Sequence, residues 1–149
     1  MLRSEHDTAA RDRQLRAWKL VFYAAAAYNL LAAAVALAAP RFHADRFFTE
    51  AIESSGAIAQ VDTQGFWVFV LLFGVGYALV ARDPSKNHAL VLLAALGKTY
   101  VFGAWAWHWF QGTMTTFALL GGIGDLLFAG AFLAFLWRVN LQEGRGLLG

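Results

Sequence analysis

Residues 88–137 read HALVLLAALGKTYVFGAWAWHWFQGTMTTFALLGGIGDLLFAGAFLAFLW, two long apolar runs broken only by Gln111 and Gly112. Each run is long enough to cross a hydrocarbon core of about 30 Å at about 1.5 Å per residue. A break of two residues leaves room for nothing but an antiparallel pair of helices. Each run carries one charge near its middle, Lys98 in the first and Asp125 in the second. A charge at that depth is costly unless it is paired or used.

Two further runs of the same kind lie upstream. The first spans Ala17 to Ala39, interrupted by Lys19 and Asn29, and stops at Pro40. The second is apolar from Phe66 to Ala81, and Asp62 and Thr63 are candidate caps that lengthen it toward the interface. The third is expected to open with Asp83 as cap and Pro84 as its first helical residue. The expected membrane helices are therefore about 17–39, 63–82, 85–110 and 113–138 of a single domain, by the length a span requires. The fold class is an all-α, integral membrane four-helix bundle. Between Pro40 and Gln64, Phe47, Phe48, Ala51 and Ile52 recur on one helical face opposite Asp45, Arg46, Glu50 and Glu53, which predicts a short interfacial helix in the first outer loop.

Composition agrees with this class. The chain has 149 residues, is 59% hydrophobic and carries a formal charge of +2, with a mean hydropathy of +0.50. Its basic residues form no aromatic-interleaved stripe, so nucleic acid is not an expected partner. There is no cysteine, which removes disulfides and thiolate chemistry. Arg3, Arg11, Arg13, Arg16, Lys19, Arg82, Lys86, Arg138 and Arg145 fall on one side and only Arg41 and Arg46 on the other. The positive-inside rule then places both termini in the cytoplasm, in the inner (cytoplasmic) membrane. A cleaved signal peptide is the competing account of the first run, with Ala36-Leu37-Ala38 as its cleavage pattern. That run exceeds the usual signal core of about 7–15 residues.

The polar residues within the spans share one depth. Asn29 is about a dozen residues into the first helix from the cytoplasmic side, Lys98 about ten into the third, and Asp125 about a dozen into the fourth from the outer side. Small residues one turn away, Ala25 and Ala33, Ala94, Gly121 and Ala129, favour burial between helices. Gly74, Gly76 and Ala78 of the second helix are likewise small, and Tyr77 adds a hydroxyl. Two readings of this layer stand: an ion pair that fixes helix register, or a site for a proton or a polar head group.

Other constellations carry less. His43 and His108 lie on one side but without a metal-binding spacing. Ser54 and Ser55 with His43 and Asp45 lack the strand and elbow of a hydrolase. The glycines of Gly74-Val75-Gly76 and Gly121-Gly122-Ile123-Gly124 follow no strand and suit packing rather than phosphate binding. No metal and no cofactor is implied.

Taken together, Tyr28-Asn29-Leu30, Pro40, Gln64, Gly74-Val75-Gly76-Tyr77, Asp83-Pro84, Gly97-Lys98 and Asp125 resemble a family of small bacterial four-helix integral membrane proteins with no established activity. The resemblance runs from about Tyr28 to Phe132. It implies Gln64, Tyr77, Lys98 and Asp125 as recurring polar positions. The chain departs from the family pattern at Gly124, where the family has Asn, and His88 is offset by one residue.

Three function classes follow. The first is a non-enzymatic multi-pass module, alone, as a homo-oligomer or as an accessory subunit of a larger complex. It would hold a lipid, quinone or isoprenoid-like amphiphile through Lys98, Asp125, Asn29, Tyr77 and Gln64. The second is a small proton-coupled transporter using Asp125, for which the basic asymmetry disfavours an antiparallel pair of chains. The third is a lipid-modifying enzyme using Lys98, Asp125 and Tyr77, without an evident nucleophile.

Overall fold

A computed structural model describes the backbone of residues 2–49 and 56–143 and the side chains of residues 12–49 and 56–139. The described residues form α1 (Leu2–Ala38), α2 (Pro40–Phe47), α3 (Ala57–Arg82), α4 (His88–Phe110) and α5 (Thr116–Glu143). Four of these, all but the short α2, contain stretches long and apolar enough to cross a membrane. Their outward faces carry large apolar side chains, with Leu31 68%, Leu93 60% and Leu127 71% exposed. Such a surface suits lipid and not water. Trp107 and Phe110 are exposed at one end of the bundle and Tyr23 and Trp137 at the other. The result is an all-α four-helix bundle of the multi-pass membrane class.

Helix boundaries differ from the sequence reading at five places. One of them is α3, which begins at Ala57 with Gly56 as its cap and so holds Asp62 and Thr63 inside the helix rather than at its start. First, α1 continues without a break from Leu2, so the charged amino-terminal stretch extends the spanning helix. Second, Pro40 does not merely end α1. It occupies the first turn of α2, where a missing N–H costs nothing. The interfacial helix accordingly lies before Phe48, and the expected contribution of Glu50, Ala51, Ile52 and Glu53 falls outside the described residues, as do Ser54 and Ser55. Third, α4 starts at His88. Asp83 accepts from the Ser85 N–H at 3.2 Å, and its carbonyl accepts from the Lys86 N–H at 3.2 Å. That local turn, with Pro84 at its corner, holds residues 83–86 out of the helix, and Asn87 enters α4 at φ 65°. At the other end Gly112, at φ 76°, turns the chain between α4 and α5. α5 begins at Thr116, so five residues and not two form the connection.

The bundle is built from two closely packed pairs, α1 on α3 and α4 on α5, with sparser packing of α3 on α4 and α1 on α5. A Cβ at Gly74 would lie 2.9 Å from Leu30 Cγ and 3.2 Å from Asn29 Cβ, so only glycine allows the first pair to approach this closely. At the end where α3 finishes and α4 begins, Phe22 stacks on Phe132 at 5.0 Å and meets Phe135 edge-on at 5.1 Å. Tyr77, Val80, Val91 and Leu136 complete that core. At the α2 end, Ala33, Ala36 and Trp67 form a second core with Phe47, Phe66 and Trp105 around it. A strap closes this end: the Thr115 N–H donates to Phe47 O at 3.0 Å, the Thr49 N–H to Thr113 O at 3.2 Å, and Thr49 Oγ1 to Gly112 O at 2.8 Å. The strap fixes α2 to the α4–α5 connection.

Candidate functional site

Between the two cores lies a polar layer to which all four long helices contribute. Lys98 of α4 donates from Nζ to Asn29 Oδ1 of α1 at 2.9 Å and to Asp125 Oδ1 of α5. Asn29 Nδ2 donates in turn to the Val70 carbonyl of α3 at 3.1 Å. Asn29, Lys98 and Asp125 are only 5%, 5% and 9% exposed. The depth matching read from the sequence thus becomes direct contact, and the pair joins α4 to α5 while Asn29 stitches it to the other half.

Three rings surround the ammonium. Tyr28, Tyr77 and Phe128 have centroids 5.4, 5.5 and 5.5 Å from Lys98 Nζ. Each offers the negative face of its π system to the cation, which supplements the carboxylate at this buried position. Tyr28 is itself fixed, since its hydroxyl donates to Gly121 O at 2.6 Å. Its phenol fills the space that a side chain at Gly124 would need: a Cβ there would stand 2.9 Å from Tyr28 Oη. Position 124 is therefore held to glycine by its neighbour.

Of the residues singled out from the sequence, the fold brings together Asn29, Tyr77, Lys98 and Asp125. Gln64 is elsewhere. It is exposed near the α2 end, on an open depression of about 760 Å³ that it shares with Arg41, His43, Asp45, Gln60 and Thr63. Sequence reading missed Tyr28 and Phe128 as cage residues. Phe128 was accessible to it, because it follows Asp125 by three positions and so shares its helix face.

A cavity of about 160 Å³ adjoins the polar layer. Lys98 and Asp125 line its polar end, and Phe66, Phe73, Val101 and Trp105 are among its apolar walls. Its lining reaches the surface at Phe69 of α3, 64% exposed, and at the exposed Gly97 of α4, two helices that pack sparsely on one another. The site is formally neutral, with one cation and one anion in contact.

The histidines behave separately. His43 is buried, stacked on Phe47 at 4.1 Å and edge-on to Trp67 at 4.6 Å, and its Nε2 has no hydrogen-bond partner among the described residues. Burial pushes its pKa down to about 4, so it is neutral at ordinary pH. His108 Nδ1 instead pairs with Thr113 Oγ1 at 3.0 Å. Among the described residues, no group of three or more His, Asp or Glu side chains is placed to hold a metal ion. At the α3–α4 turn, hydrogen bonds from Ser85 and Lys86 hold the Asp83 carboxyl down to about 2.

No protein-family model, no curated protein and no solved structure matches the chain.

Proposed function

We propose that this protein is a non-enzymatic membrane module that holds one amphiphilic molecule, a lipid, quinone or isoprenoid, with its polar head beside Lys98 and Asp125. The carrying observation is a cavity lined at once by that buried pair and by the exposed Phe69 of α3 and Gly97 of α4, which give it a lateral way out between the two helices. An amphiphile reaches such an opening from the bilayer, placing its head on the polar layer and leaving its tail among lipid chains. The chain resides in the inner membrane with both termini cytoplasmic, a reading supported by the nine-to-two bias of basic residues. It belongs with the small bacterial four-helix membrane proteins that its polar positions resemble, and serves alone or as an accessory subunit.

Native mass spectrometry of the full chain, released from membranes in mild detergent, tests this reading. The expected spectrum shows one amphiphile per chain, lost in Val101→Trp, whose indole fills the cavity from α4. A chain that emerges without any bound molecule, or a Val101→Trp chain that retains it, refutes the proposal.

A further inference from the structure

The shape and charge of the cavity narrow the class of head group, an inference that rests on the amphiphile reading above. Its volume of about 160 Å³ is that of protein cavities that accept one benzene ring, about 150 Å³. It has no room for a glycerol backbone with its phosphate and esters. A charged head is also disfavoured. A phosphate would approach Asp125 as closely as Lys98, because the two side chains are in contact. Among the described residues, no other Lys or Arg lines the cavity to offset that repulsion or the lost hydration. An ammonium head meets the same difficulty with the signs reversed.

An uncharged head meets a better match. An ammonium has three donors, and Lys98 uses two of them on Asn29 and Asp125. Asp125 uses one oxygen on Lys98, and its second has no hydrogen bond from the described residues. One donor and one strong acceptor therefore remain at the polar end. A ring carbonyl can accept the first and a ring hydroxyl can donate to the second. The walls are suited to a flat ring, since Phe66, Phe73, Tyr77 and Trp105 supply aromatic faces and edges for offset or edge-on packing. We propose that the cavity takes the uncharged ring of a quinone or quinol, with a ring oxygen at the Lys98–Asp125 pair and the tail leaving between Phe69 and Gly97.

The test uses the full chain in lipid nanodiscs and four probes of equal tail length: a decyl-substituted 1,4-benzoquinone, decyl phosphate, decyltrimethylammonium and decanoyl glycerol. Binding is read as a saturable rise in the thermal unfolding midpoint. Each probe is repeated on Gly97→Leu, which narrows the opening at a position where an added Cβ meets nothing within 4 Å. The expected result is a saturable shift with the quinone alone, with its apparent affinity at least about tenfold weaker in Gly97→Leu. If the phosphate, the ammonium or the acyl glycerol binds as tightly and is blocked in Gly97→Leu, the ring assignment is overturned and the amphiphile site stands. If no probe gives a saturable shift sensitive to Gly97→Leu, while native mass spectrometry still finds a bound amphiphile lost in Val101→Trp, the ring assignment alone fails. If both measurements are negative, both proposals fail.

Discussion

Replacing Lys98 by Met removes a cation and leaves Asp125 buried without its donor. Breaking a buried ion pair from one side costs about 3–5 kcal/mol. The structure predicts an asymmetry between the two halves of the pair. In Asp125→Asn, Lys98 keeps Asn29 Oδ1 and its three rings, and the new amide oxygen can still accept. The retained cation–π contacts are worth about 0.5–1 kcal/mol each or more when desolvated, so a loss of about 1–3 kcal/mol is expected. The double variant Lys98→Met, Asp125→Leu removes both charges, and its stability should lie within about 2 kcal/mol of the native chain. Unfolding in mixed micelles of increasing SDS fraction, followed by tryptophan emission at pH 7, measures all three. The coupling energy from a cycle completed with Asp125→Leu should exceed about 2 kcal/mol. A Lys98→Met loss below about 1 kcal/mol, or a double variant as unstable as the two single losses added, would show that the pair does not hold the bundle as described.

Gly124→Ala should destabilise by about 1–3 kcal/mol through collision with Tyr28, and Gly124→Asn by more. Because Tyr28→Phe removes the colliding hydroxyl, its cost should fall when combined with Gly124→Ala in the same SDS titration. Gly112→Ala forces a side chain into the left-handed region and should cost about 1–2 kcal/mol by the same assay. The contribution of His43 to stability should be level above its ordinary value of 6.5 and decline as pH falls from there toward about 4, because the unfolded chain takes up the proton first. Thermal melts from pH 8 to 4 check this, and His43→Phe should flatten the decline.

What the sequence made legible follows from which physical signals are local. Four apolar runs of spanning length are local, and so is the depth of Asn29, Lys98 and Asp125 along their helices. Small residues one turn away gave the buried faces. Which neighbour each face meets is not local, so the ring cage could be seen only in part, and Tyr28 lies beside Asn29 without any periodicity that aims it at Lys98. The boundary differences have a common origin in competing backbone options. Pro40 suits both a helix stop and a first helical turn, and here it serves as both, following the end of α1 at Ala38 and opening α2. At Asp83, the side chain bonds to Ser85 in a local turn in place of capping a helix. The resemblance groups Gln64 with the layer, whereas Gln64 lies in the early turns of α3, exposed beside α2 and away from Asn29 and Lys98.

The strap between Phe47–Thr49 and Thr113–Thr115 has a consequence for assembly order. Its partners are separated by more than sixty residues, as with Thr49 and Gly112 at a separation of 63. In two-stage membrane folding, helices insert before they associate. The strap can therefore close only when the last two helices have been delivered. It acts as a latch that records completion, and its loss should leave insertion intact while loosening the finished bundle at one rim.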